Sequence, residues 1–293
     1  MSAVTDSPLA IEVRGLVKRY SSKAAGEKIA VAGIDLDVRL GEIFALLGPN
    51  GAGKTTTVEI LEGYRNRDGG SVKVLGSDPG NLGAGAANWR DRIGIVLQST
   101  KDAEDLSVAE VVHHFANYYT NAKDADQVIE AVGLTEKASE RIETLSGGQR
   151  RRLDVALGII GNPEILFLDE PTTGFDPEAR RAFWELIRNL RTQGTTILLT
   201  THYLDEAEAL ADRVGVIVDG KIIEVSTPSN LGGRNNAKAR ISWLENGVRA
   251  ELLTDNPTKE ISVIAQRFTG EIPELAVHRP TLEDIYLEMI GGK

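Results

Sequence analysis

The chain has 293 residues, 41% of them apolar, enough for one large domain with an appendage or for two modest ones around a packed core. Its 43 acidic against 33 basic residues leave a net charge of −10, which argues against a broad phosphate-backbone footprint and hence against nucleic acid as a partner. Cysteine is absent, which excludes disulfides, thiolate metal sites and thiol nucleophiles. No apolar run reaches the roughly 18 to 20 residues that cross a bilayer, and residues 1–8 lack the basic-then-apolar pattern of a signal peptide. Membrane contact is therefore expected only through another chain.

In chain order, Val31, Ile34, Leu36 and Val38 alternate with Asp35, Asp37 and Arg39, the period of a half-buried antiparallel strand, and Gly41-Glu42 makes the following turn. Residues 43–47 form a continuous apolar run, expected of a strand buried on both faces. It enters a glycine-rich turn and then a helix predicted over 54–64. Beyond the Gly/Ala-rich loop at 79–88, residues 93–97 read as a strand. The pattern over about 100–162 is helical, predicting an inserted helical subdomain. Buried runs recur at 165–168 and 195–200, and between them Phe183, Ile187 and Leu190 fall at helical spacing. Residues 214–218 and 222–225 around Asp219-Gly220 predict a hairpin with a type I′ turn. After Thr227-Pro228 the apolar runs thin out, and Gly232 and Gly233 suggest a boundary near Leu231. A final helix is predicted from Thr281, where Thr-x-x-Asp caps a face of Leu282, Ile285, Tyr286 and Met289. Strands alternating with helices predict an α/β fold with a mainly parallel sheet.

Gly48, Pro49, Asn50, Gly51, Ala52, Gly53, Lys54 and Thr55 match G-x-x-x-x-G-K-[ST], between the strand and helix that this motif requires, with Thr56 next on the helix. Glycines let consecutive backbone N–H groups curl around phosphate oxygens at a helix N-terminus. Lys54 is placed to reach the β and γ phosphates, and the Thr55 hydroxyl to ligate Mg²⁺. Asp169 and Glu170 then follow the buried run 165–168, at the strand end where parallel-sheet proteins bind ligands. Asp169 is the expected metal ligand and Glu170 the expected base for the water that attacks the γ phosphate. Leu145-Ser146-Gly147-Gly148-Gln149 precedes Arg150, Arg151 and Arg152 and opens a second glycine-rich helix suited to an anion. His113-His114 lacks a third ligand nearby, and Trp89 and Trp243 are expected to be packing residues.

With GPNGAGKT and LSGGQ both present, the chain resembles the ATP-binding cassette (ABC) ATPases over about residues 9–228. The resemblance implies a phosphate-loop ATPase at 1–230 with an antiparallel β subdomain and an inserted helical subdomain, followed by a small accessory domain at 231–293. In that family two domains meet head to tail, so that Ser146, Gly147, Gly148 and Gln149 of one subunit close over ATP held by the other. It further implies that Gln98 contacts Mg²⁺ and the attacking water, that His202 contacts the γ phosphate, and that Tyr20 stacks on adenine. The stretch Thr173-Gly-Phe-Asp176 matches the family's inter-subunit loop, with Phe175 where leucine is more usual. The C-terminal His278-Arg-Pro-Thr-Leu-Glu-Asp-Ile-Tyr-Leu-Glu resembles the ATPases of drug, antibiotic and lipid exporters, including the daunorubicin resistance type. A homodimer, or a dimer with a similar ATPase subunit, driving a separate integral membrane permease from its cytoplasmic face is the assembly this implies. The alternatives are a soluble cassette acting on ribosomes or DNA, and an ATP-dependent regulatory module.

Overall fold

The computed structural model describes residues 8–22, 26–96 and 105–291, and Gln98 lies outside them. The chain divides into two units, Met1–Val225 and Ser226–Lys293. Leu231, near which the glycines suggest a boundary, is fully buried and belongs with the second unit.

The first unit opens with β1 (Leu9–Ser22) and β2 (Gly26–Arg39), an antiparallel pair, and continues through β3 (Ile43–Leu47) to α1 (Lys54–Leu61). The alternation that predicts β2 is the one observed: Val31, Ile34, Leu36 and Val38 are buried. Its partner β1 has no such clean signature, because register shifts interrupt the pairing and Gly15 takes a positive φ of 59°. β4 (Gly69–Val74) lies on the other side of β1 and completes a three-stranded antiparallel sheet. The helix predicted over 54–64 is shorter than expected. Gly63 adopts φ 74° and donates to the Ile60 carbonyl while Tyr64 donates to Glu59, a left-handed stop that leaves Glu62 as the cap.

After the short α2 (Ala86–Arg90), the second sheet is assembled from β5 (Ile93–Val96), β6 (Ile165–Asp169), β7 (Thr196–Thr201), β8 (Arg213–Val218) and β9 (Lys221–Ser226), with β3 at its centre. The order is β5-β6-β7-β3-β8-β9. The pairs β5–β6, β6–β7, β7–β3 and β3–β8 are parallel. Asp219 and Gly220 both take positive φ, 49° and 75°, as a type I′ turn between β8 and β9 demands. Phe44, Phe167 and Leu198 from the sheet share one core with Val58, Ile60 and Leu61 of α1 and with Ile11, Val13 and Val72 of the antiparallel sheet. Each such fully buried side chain contributes about 1.5–3 kcal/mol.

Between β5 and β6 the described residues form α3 (Val108–Ala116), α4 (Ala125–Ala131) and α5 (Gly147–Ile159), with 3₁₀ turns at Thr135–Lys137 and Ile142–Thr144. α6 (Pro177–Thr192) buries Phe183, Leu186, Ile187 and Leu190, and α7 (Leu204–Leu210) follows β7. Trp89 is buried and donates to the Val74 carbonyl at 3.0 Å, a packing role as expected.

The second unit pairs β10 (Ala239–Glu245) antiparallel with β11 (Val248–Thr254) and β12 (Ala276–His278). α8 (Pro257–Ala265) brings Ile264 into a small core with Ile241 and Trp243. α9 (Leu282–Gly291) starts where expected, with Asp284 N–H donating to Thr281 Oγ1 at 3.1 Å.

Candidate active site

The phosphate loop runs from the end of β3 to the first turn of α1, and its shape follows from close backbone contacts. A Cβ on Gly48 would lie 2.4 Å from the Ile217 carbonyl oxygen. At Gly53, φ is 109° and a Cβ would lie 2.4 Å from the Ala30 carbonyl oxygen, so no other residue fits without moving β2. The loop is tied down by Gly220 N–H, which donates to the Ala52 carbonyl at 3.0 Å, and by Ala32 N–H, which donates back to Gly220 at 2.8 Å. The type I′ hairpin thus braces the loop from behind.

Lys54 is only 5% exposed and donates to the carbonyls of Gly48 at 2.7 Å and Pro49 at 3.3 Å. Burial pushes its ammonium below the ordinary lysine value, and Glu170 and Asp169 oppose that shift. Asp169 ends β6. One of its carboxylate oxygens accepts from Thr55 Oγ1 at 3.3 Å and the other from Thr200 Oγ1. Glu170 sits next to it at φ 44°, a left-handed backbone that a non-glycine residue adopts at a cost of about 1–3 kcal/mol. The turn is held by Glu170 N–H, which donates to Thr200 Oγ1 and to the Thr200 carbonyl, both at 3.1 Å. It aims the Glu170 carboxylate at the loop, 4.0 Å from Lys54 Nζ and 3.4 Å from His202 Nδ1. The structure therefore brings Lys54, Thr55, Asp169, Glu170 and His202 together at the C-terminal ends of β3, β6 and β7.

Tyr20 joins them from β1. Its hydroxyl lies 3.4 Å from Thr56 Oγ1, the Arg65 guanidinium stands 5.3 Å from its ring centroid, and the ring lines a cleft of ≈ 210 Å³ with Asn50, Gly51, Lys54, Thr55 and Glu170. Lys28 and Ala30 of β2 line the same cleft.

Ser146, Gly147, Gly148 and Gln149 are not part of that cleft. Ser146 caps α5 reciprocally: it accepts from Gln149 N–H at 3.3 Å, and Gln149 Oε1 accepts from Ser146 N–H at 2.9 Å. Ser146 and Gly147 are exposed. One residue from the interior of α5 reaches the end of β6. Buried Arg151 donates from Nε to the Pro171 carbonyl and from Nη2 to the Asp169 carbonyl, both at 3.0 Å. Asp176 caps α6 by accepting from Glu178 N–H at 3.0 Å and Ala179 N–H at 2.8 Å, and Phe175 packs edge-on against Phe183 with centroids 5.8 Å apart. That contact accounts for an aromatic residue at 175.

Sequence reasoning passed over Thr200 and Arg151. Thr200 is an ordinary strand threonine until β7 pairs with β6, and Arg151 is one of three consecutive arginines of which it alone is buried. His113 pairs with Asp126 at 3.1 Å and His114 with the Tyr118 hydroxyl at 2.9 Å, and no group of three metal-ligating side chains occurs among the described residues. No helix among them is long and apolar enough to cross a membrane.

Residues 31–173 match the family model described as ABC transporter. The chain is 34% identical to the daunorubicin/doxorubicin resistance ATP-binding protein DrrA of Streptomyces peucetius over 98% of this chain and 94% of that protein. It is 35% identical to the linearmycin resistance ATP-binding protein LnrL of Bacillus subtilis (strain 168), with 89% and 81% covered. To the Nod factor export ATP-binding protein I of Burkholderia orbicola (strain AU 1054) it is 39% identical, with 75% and 72% covered. Among solved structures, a dimeric ATP-binding cassette in a post-hydrolysis state with ADP and phosphate superimposes with a TM-score of 0.67 at 23% identity, over 74% of this chain and 98% of that one. The ABC transporter protein cbiO1 from Clostridium perfringens gives 0.65 at 26% identity, with 76% and 90% covered.

Proposed function

Because the chain belongs to the ABC transporter family as an ATP-hydrolysing subunit, we propose that it works as a head-to-tail pair in which residues 48–56 of one copy grip the triphosphate and residues 146–149 of the other cap it. The observation that carries this reading is the split site: Lys54, Thr55 and Glu170 line one cleft, with His202 beside Glu170 and Asp169 beside Thr55, while Ser146 of the same chain is exposed and does not line it. The dimeric state of the ADP- and phosphate-bound cassette supports the same arrangement here.

Within each site, Tyr20 stacks on adenine at the rim, and Lys54 exchanges its contacts with Gly48, Pro49 and Glu170 for the β and γ phosphates. Glu170, freed of Lys54, takes the proton of the attacking water, and His202 bridges Glu170 to the γ phosphate. The donor set at the end of β6 suits Mg²⁺: a hydroxyl and a carboxylate, Thr55 and Asp169, already meet at 3.3 Å, and these are hard oxygens of the kind that share this ion with phosphates and water. Gln98 is the third expected ligand. Bound there, the ion neutralises charge on the phosphoryl group being transferred. Thr200 and Arg151 position Asp169 and Glu170 through the contacts described above.

The export and resistance names of the relatives favour an exporter of drugs, antibiotics or lipids over a cassette working on ribosomes or DNA. Its partner is then a separate membrane permease that holds the chain at the inner face of the cell membrane. Residues 226–293 serve as an accessory unit.

The test is Glu170→Gln. Hydrolysis slows about 10²- to 10⁴-fold, and with ATP the variant accumulates as a dimer on light-scattering chromatography. An ATP-loaded variant that stays strictly monomeric overturns the head-to-tail reading.

A further inference from the structure

The turn that leaves Glu170 and the strand end that carries His202 meet over a further carboxylate, one to which the reaction described above gives no part. Glu206 lies in the first turn of α7 and is 0% exposed. Thr201 is the last residue of β7, Thr172 stands two residues after Glu170, and Trp184 belongs to α6. All three present side-chain donors to Glu206, and Arg180 of α6 supplies opposite charge. Both threonines are fully buried.

Removing a carboxylate from water opposes folding. Here burial pushes the Glu206 carboxyl above its ordinary value, while the three donors and Arg180 pull it back. The donors surround the carboxylate without closing on it: among the described residues both Glu206 oxygens, the Thr172 hydroxyl, Trp184 Nε1 and Arg180 Nε are buried and complete no hydrogen bond. The segments that meet there all lead to the nucleotide site. Thr201 Oγ1 accepts from Tyr203 N–H at 3.0 Å, spanning His202, so whatever holds Thr201 sets the backbone of the histidine that stands 3.4 Å from Glu170. Thr172 follows Pro171, whose carbonyl is held by Arg151, and α6 starts from the Asp176 cap. Arg180 adds a second tie between α6 and α7, pairing with Asp205 at 3.0 Å and standing 4.6 Å from the Tyr203 ring centroid.

Resting on the roles proposed above for Glu170 and His202, we infer that Glu206 is a positioning residue for hydrolysis: by gathering Thr172, Trp184 and Thr201 onto one carboxylate it holds the Glu170 turn and the His202 strand end in a fixed relation. Glu206 does not line the nucleotide cleft, so it acts through these residues and not on the phosphates. The position requires an acceptor with two oxygens. A side chain of the same size with one oxygen, or with none, fills the space but leaves buried donors unpaired, and the two catalytic segments lose their common anchor.

The experiment measures ATP turnover, ATP affinity and thermal unfolding of the full-length chain as wild type, Glu206→Gln, Glu206→Leu, Thr201→Val and the double variant Glu206→Gln/Thr201→Val, with Glu170→Gln as control. Glu206→Gln and Glu206→Leu should each lower kcat about 10- to 100-fold, as a small misplacement of catalytic groups does, while KM and the dissociation constant for ATP stay within about twofold. The kcat losses of Glu206→Gln and Thr201→Val should not multiply in the double variant, because both break the same link. Where Glu206→Leu does not fold, Glu206→Gln and Thr201→Val carry the test. Wild-type kcat in folded Glu206→Gln overturns the inference, and so does a fall in kcat that only matches the fraction of chain unfolded. Losses that multiply in the double variant overturn the link through Thr201. If Glu170→Gln itself turns over like wild type, the reading beneath this inference has failed; if it is slow while Glu206→Gln is not, the positioning role alone is wrong.

Discussion

The two phosphate-facing devices of this chain are built to opposite plans. Around the phosphate loop three residues are held by contacts beyond their own helix turn or strand: Lys54 by loop carbonyls, Asp169 by Thr55 and Thr200, and the Glu170 N–H by the carbonyl and hydroxyl of Thr200. At the start of α5, by contrast, Ser146 is held by Gln149 and Arg150, three and four residues on in the same helix, and it is exposed. A site whose one half is locked by tertiary contacts and whose other half is merely a well-capped helix end is organised for nucleotide before its mate arrives. On the head-to-tail proposal, the difference assigns binding to the single chain and closure to the pair.

The largest expected effect breaks the locked half. Lys54→Ala removes a nearly buried charge from the phosphates and should weaken ATP about 10²- to 10³-fold in an equilibrium titration of the monomer. Unchanged affinity would take Lys54 out of the binding role.

The next prediction concerns a cost carried at the far end of α1, away from the phosphate loop, where burial together with Asp169 and Glu59 pushes the Glu62 carboxyl up to about 8. Below about pH 4.5 Glu62 is protonated in both native and unfolded chains. As pH rises towards 8 the unfolded chain releases that proton while the native one keeps it, so the group's contribution falls by about 1.4 kcal/mol per unit and levels off above 8. Glu62→Gln should therefore leave stability near pH 4.5 little changed and raise it by roughly 3–5 kcal/mol at pH 8.5, read from urea midpoints. A parallel pH dependence in the two proteins would contradict the raised value.

Gly53→Ala tests the backbone that shapes the loop. Its φ of 109° and the overlap with the Ala30 carbonyl should cost about 1–3 kcal/mol of stability and distort the phosphate cradle, so thermal unfolding and ATP titration should both shift.

The smallest effect lies in the open half. Ser146→Ala removes a helix cap worth about 1 kcal/mol and should leave monomer affinity for ATP within about twofold while turnover at high protein concentration falls. Lost affinity in the monomer would erase the contrast between the halves.

Much of this organisation is legible along the chain, but unevenly. The phosphate loop, the Asp169-Glu170 pair and the Ser146 cap lie within a few residues of the groups they serve, so their spacing is visible in a linear reading. β1 is not, because its register shifts and Gly15 interrupt the alternation that marks β2. α1 ends three residues before the expected Tyr64, since helical propensity continues through Glu62 while the left-handed Gly63 stops the hydrogen-bond ladder. Thr200 and Arg151 carry no local signal, as their partners lie 31 and 20 residues away.

The sequence by itself determined the candidate site: the glycine-rich loop before α1, the two carboxylates at and after the end of β6, and a second glycine-rich helix start in the same chain. Hydrogen bonding and helix capping act over three or four residues, so composition and spacing suffice for them. Only the tertiary structure decided which of those devices share a cleft, that Ser146 does not line it, and that the Glu62 side chain is buried with no hydrogen-bond or ion-pair partner among the described residues. Burial and electrostatic neighbourhood are properties of strands and helices brought together from distant parts of the chain, and no local pattern encodes them.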